Sequence, residues 1–207
     1  MTTVMSPARI AKRRKRALAK TLRIITVAPL MAFLAFTAML ISGGIFRNIS
    51  EYLWTLVFIC ILPLTAYPLK KILPPFKSKG RSGQRTLAMI MANVGYILSI
   101  AYAMSADISE RLLYVFVTYV LSGASLLIIN KVLHFKASGH ACGAAGPVAV
   151  LVYFFGFTPA GILCLTLGAI LLAAVLWGTV KTHSHTAPQF IIGGMIPIII
   201  FYTLLLI

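Results

Sequence analysis

Two short polar segments interrupt a chain that is otherwise mostly apolar, and both carry histidine. The first reads Lys136-Ala137-Ser138-Gly139-His140-Ala141-Cys142-Gly143 and lies between two long apolar runs. A histidine at a helix N-terminus is an acid/base group beside backbone N–H donors that have no helical partner. Those donors, with the helix dipole, favour an anion such as phosphate. The second segment reads Lys181-Thr182-His183-Ser184-His185-Thr186-Ala187-Pro188-Gln189. His185 and Gln189 are four positions apart, so a helix already begun there puts them on one face. Gln189 is then able to accept a hydrogen bond from the imidazole. Pro188 suits a first helical turn. An imidazole with its tautomer fixed in this way can act as a nucleophile, which makes His185 the candidate for that role, with His140 the candidate acid/base group.

The plainer reading of each residue is structural. The small residues Cys142-Gly143-Ala144-Ala145-Gly146 let a neighbouring helix approach closely, and their spacing alone implies only packing. Lys136 and His140 tip the balance toward function, because ionisable groups at membrane depth are costly to keep. His183 points away from His185 in a helix, and His134 sits between Leu133 and Phe135. Both read as interfacial loop residues. For an anion, the candidate contacts are Ser138, Gly139, Lys131, Lys136 and Lys181, together with Arg81 and Arg85 of the cation-rich 70–85 loop. Those two arginines offer bidentate contacts. Cys60, Cys142 and Cys164 have neither CxxC spacing nor a loop-rich setting, and read as small apolar side chains.

Composition states what must position these segments. Of 207 residues, 60% are hydrophobic, and the mean hydropathy is +0.96. Such a chain is an integral membrane protein. Apolar runs at 24–46, 53–69, 86–104, 112–133, 141–157, 160–180 and 187–207 are each near the ~20 residues that cross a bilayer as a helix. The expectation is an all-α membrane bundle of about seven spans, one domain over 24–207 behind a basic segment over 1–23. That segment and the first run resemble a signal peptide, but the run is too long for one and lacks a cleavage site, so it reads as a retained span. Pro63 and Pro68 predict a kink or break near the end of the second span.

Charge follows the spans. There are 19 Lys and Arg against three acids. The seven-span topology puts eight basic residues of the head, six of the 70–85 loop, and Lys131, Lys136 and Lys181 on one face, leaving Arg47 and Arg111 on the other. By the positive-inside rule the basic face, with both histidine segments, is cytoplasmic in a cell membrane. The cations sit in short loops, which points to topology and lipid headgroups and excludes nucleic acid as a partner. Glu51, Asp107 and Glu110 fall across the membrane from the histidines. A magnesium site needs clustered oxygen ligands, so no metal and no other cofactor is expected, and His183-x-His185 is a weak metal pair.

These segments resemble the type 2 phosphatidic acid phosphatase superfamily over roughly the C-terminal half. The family's Pro-Ser-Gly-His motif is similar to Ala137-Ser138-Gly139-His140. Its Ser-Arg, five residues, His, three residues, Asp motif is similar to the stretch from Gly178-Thr179 through His185 to Gln189. The resemblance implies a six-helix lipid-phosphatase-like core and metal-independent phosphoryl transfer from a lipid phosphate. His185 would attack phosphorus, His140 would protonate the leaving oxygen, and cations would hold the remaining oxygens. The sequence departs from the family where the motif arginine falls on Thr179 and the motif aspartate on Gln189, and the first motif has no literal copy. Substrates implied are isoprenyl or polyprenyl phosphates or diphosphates, or phosphatidate-like lipids. The alternative is a non-catalytic relative that binds anionic lipid or a partner protein through its basic face.

Overall fold

The computed structural model describes residues 13–14, 17–19, 21–22 and 24–207. The rest of the basic 1–23 segment, and any reading of it as an amphipathic helix or a solvated tail, lies outside the described residues. Among those described, the long helices are α1 (Ala28–Ser42), α2 (Ile49–Ile72), α3 (Gly80–Ser105), α4 (Glu110–Lys131), α5 (Gly139–Phe155), α6 (Pro159–Lys181) and α7 (Ala187–Leu204). Five of them, α2, α3 from Ser82, α4, α6 and α7, are long and apolar enough to cross a membrane. α1 and α5, of 15 and 17 residues, are apolar but shorter. The chain is therefore a helical membrane bundle, and every apolar run read from the sequence falls on one of its helices.

Polar residues at the run boundaries fix where helices start. Asn48, Ser109, Ser138 and Thr158 each cap a helix by accepting a backbone N–H three residues on. A capped first turn leaves fewer orphan donors where the chain leaves the membrane interface. The expected break in α2 does not occur. Leu56–Ile61 instead forms a π-helical turn immediately before Pro63, and Pro68 sits inside the continuing helix. The wider turn absorbs the hydrogen bond and the ring clash that proline imposes.

Successive helices run in opposite directions. α7 lies between α4 and α5, α1 packs on α5, and α2 and α3 close the other side. The core gathers Phe36, Met39, Ile59, Phe116, Val150 and Phe201. Outward-facing Ile41, Ile97, Leu163, Ile170 and Ile199 are exposed on α1, α3, α6 and α7, an apolar exterior suited to lipid.

Two ends result. One holds the starts of α1, α3, α5 and α7 and the ends of α2, α4 and α6, and so collects 70–85, 131–140 and 181–186. The other holds Arg47, Asp107, Glu110 and Arg111, with Glu51 on the first turn of α2. α5 and α6 are joined at this second end by residues 156–158, and α6 is the longer by six residues. At 1.5 Å per residue, α6 outruns α5 by about 9 Å at the histidine end. In accord with this, Val175 of α6, not its last residue, packs against Ala141 at the start of α5. The α5 N-terminus is thus recessed within the bundle.

Candidate functional site

Each histidine segment is shaped by the way its preceding helix stops. α6 ends with Ser184 N–H donating to Thr179 O at 3.2 Å and His183 N–H to Val180 O at 3.0 Å, with His183 at φ 52°. This is a Schellman closure with histidine in the left-handed position usually given to glycine. His183 is therefore a helix terminator, which accounts for it without chemistry. His134, at φ 53°, turns the chain beyond α4 in the same region of backbone space. Lys136 is the third left-handed residue, at φ 44°, and has no helix to terminate. Such conformations are uncommon outside glycine and cost on the order of 1 kcal/mol, so the surroundings must hold Lys136 in place.

What holds it is the docking of the 132–138 connector onto α7. Ser138 N–H donates to Gln189 O at 2.9 Å, and Asn130 Nδ2 donates to Ala137 O at 3.2 Å. Gly193 makes this approach possible, since a Cβ there would fall 2.4 Å from Ser138 O. Ser138, expected as a phosphate contact, is fully buried, and its Oγ accepts Ala141 N–H as the α5 cap. Gly139, the first residue of α5, is exposed.

The turn at Lys136 aims its carbonyl at the second segment, where it lies 3.2 Å from His185 Nδ1. A carbonyl only accepts, so Nδ1 carries the hydrogen and the lone pair of a neutral ring resides on Nε2. The half-buried setting lowers the affinity of His185 for a proton below the ordinary 6.5. Burial is the leading cause. The bond to Lys136 O opposes it, the charges of Lys136 and Arg85 reinforce it, and Gln189 opposes it least. Lys136 from one connector and Gln189 from α7 thus meet at His185, and the charge of Arg85, from the first turns of α3, is felt there. Gln189 has a larger duty elsewhere, because its Oε1 accepts Thr186 N–H at 3.1 Å in a capping arrangement. The main-chain carbonyl, and not Gln189, is the principal tether of the ring.

His140 faces another neighbour. Its Nε2 lies 2.9 Å from Thr26 Oγ1, whose single hydrogen is directed at Leu22 O at 2.6 Å. The His140 ring is therefore the donor in the shared contact, and Nε2 bears hydrogen. Gly143 permits this pairing by bringing α1 close, since a Cβ there would fall 2.1 Å from Ala28 Cβ. Thr26 is the site residue the sequence did not reveal. Its only signal was a hydroxyl at the start of an apolar run, 114 positions from its partner.

No family model, curated protein or solved structure matches this chain. The remaining candidates are placed by geometry alone. Lys131 and Lys181 are exposed in the last turns of α4 and α6, where a cation is favoured by the helix dipole. Arg81 lies in the first turn of α3, and its side chain is outside the described residues. Thr179, the position where the resembled motif has arginine, is buried, and its Oγ1 has no hydrogen-bond partner among the described residues. The three acids are all at the opposite end of the bundle.

Proposed function

We propose that this protein is a lipid phosphatase of the cell membrane that uses His185 as its nucleophile, with seven spans and the histidine end facing the cytoplasm. The observation that carries the reading is His185 itself. It is a half-buried ring held by Nδ1 on a main-chain carbonyl, its proton affinity lowered first by burial and further by the charges of Lys136 and Arg85. A nucleophile needs a lone pair, and a phosphoryl group needs cations around its oxygens.

In the proposed step, Nε2 of His185 forms a bond to phosphorus while the bond from phosphorus to the lipid or diphosphate bridging oxygen breaks. His140, entering the step as the imidazolium with Nε2–H kept on Thr26, gives its Nδ1 proton to that leaving oxygen and becomes neutral. Water then adds to phosphorus, returning a proton to His140, and the P–N bond breaks to release inorganic phosphate. Arg85 and Lys136 hold the non-bridging oxygens, with Lys131, Lys181 and Arg81 as outer cations. The lipid is an isoprenyl or polyprenyl phosphate or diphosphate, or a phosphatidate-like lipid, entering between helices while its headgroup meets the basic end.

A second reading has support from Thr179 and Gln189. One is buried without a cation, and the other is engaged in capping Thr186. On this reading the same end binds anionic lipid, or a partner protein, without turnover. Phosphate release from isoprenyl and glycerolipid phosphates, measured with EDTA present, separates the two. The enzyme reading expects release by wild type that is lost in His185→Ala and His140→Ala. Absence of release from every lipid by folded protein overturns it in favour of binding alone.

A further inference from the structure

The opposite end of the bundle contains a cavity that the histidine chemistry does not use. It has a volume of about 260 Å³ and opens between α4, α5 and α7, with Glu110, Arg111, Tyr114, Tyr153, Phe201 and Leu205 among its lining residues. Its two charged residues do not neutralise each other. Among the described residues the one ion pair at this end joins Arg47 to Asp107, at 2.6 Å. Arg111 makes a single long hydrogen bond, 3.4 Å to Gly44 O, and the Glu110 carboxylate accepts from Tyr114 Oη at 3.2 Å. A guanidinium with most of its donors unengaged and a carboxylate thus border the same space.

The walls supply the rest of a binding specification. Tyr153 stacks edge-on with Phe201, ring centroids 5.4 Å apart, and stands beside the cavity with its own face partly exposed. Buried Val115 and Val150 form the inner surface. Aromatic faces attract ammonium groups, and the apolar depth suits hydrocarbon.

We propose that this cavity binds the headgroup and proximal chain of a zwitterionic glycerophospholipid. The phosphate meets Arg111, the ammonium meets Glu110 and the tyrosine rings, and the chain lies along Phe201 and Leu205. Each part of the ligand answers a feature of the site. An anionic lipid has no group for Glu110, and a water-soluble zwitterion has nothing for the apolar wall.

The test is retention of lipid by delipidated full-length protein in detergent, read by native mass spectrometry. Equimolar phosphatidylethanolamine and phosphatidylglycerol are offered, with and without excess glycerophosphoethanolamine. Wild type should retain phosphatidylethanolamine about five-fold over phosphatidylglycerol, the scale of one ammonium contact. Glu110→Gln should abolish that preference while keeping phosphatidylglycerol, and Tyr153→Ala should weaken the ethanolamine lipid selectively if the first variant folds poorly. Equal retention of the two lipids by wild type, or a preference unchanged in both variants, overturns the proposal. Displacement of the lipid by glycerophosphoethanolamine in a further sample, at a concentration equal to that of the lipid, overturns its lipid character, whereas displacement only by the excess does not.

Discussion

The two ends of the bundle carry the same kinds of cation and treat them differently. At one end Arg47 is answered from within the chain, by the Asp107 carboxylate and by Asp107 O at 2.9 Å. The pair is largely exposed and holds the carboxylate of Asp107 below its usual range, the hydrogen bond from Arg47 being the leading cause. At the other end Arg85 and Lys136 bear on His185 with no acid on that end of the bundle to answer them. Arg47 is thus answered from within the chain, whereas Arg85 and Lys136 are not.

The contrast can be broken most severely at Gly193. Gly193→Val drives a side chain into the Ser138 backbone and should destabilise the protein by about 1–3 kcal/mol, read as a lower midpoint of thermal melting in detergent. The Arg47–Asp107 pair should survive, because it belongs to the other end. Thr26→Val, nearly isosteric, removes the hydroxyl that holds His140. It should cost about 1 kcal/mol by the same measurement while leaving the His185 titration where it was.

The titration of His185 sharpens the comparison. Its proton affinity is lower folded than unfolded, so its contribution to stability is fully present above pH 6.5. That contribution is lost as pH falls from there through the lowered value. Replacing Arg85 or Lys136 with Gln should raise the His185 midpoint in an NMR titration, though not fully to 6.5, because burial is the larger cause. Asp107→Asn should leave it unchanged. An equal response to all three would mean that His185 senses net charge and not its neighbours. The smallest effect concerns a residue with no part in the chemistry. His183→Gly relieves a left-handed backbone at the α6 terminus and should stabilise the protein by up to about 1 kcal/mol.

How far these features could be read in advance depended on how local their causes are. The helices follow from apolar run length, and the collection of basic segments at one end follows from alternation of direction. Both are properties of a single stretch and its neighbours. The tether of His185 was not legible, because its acceptor is a main-chain oxygen, aimed by the left-handed turn at Lys136, 49 positions away. Gln189 looked like the orienting group because its spacing was right, but the same spacing also serves a helix cap, and that local use dominates. The continuity of α2 through Pro63 required a π turn that no residue type announces. The far cavity was not legible, because its walls come from several helices that carry no shared sequence signal.

The recess left by the short α5 bears on how a substrate would be supplied. With α6 rising about 9 Å beyond the start of α5, a phosphate bound at the α5 N-terminus, as the proposed function requires, would lie below the end of α6 and be reached from the side. Delivery to such a place is two-dimensional. Turnover would then follow the mole fraction of the lipid in its bilayer, so that adding inert lipid at constant total substrate should slow the reaction as surely as removing substrate does.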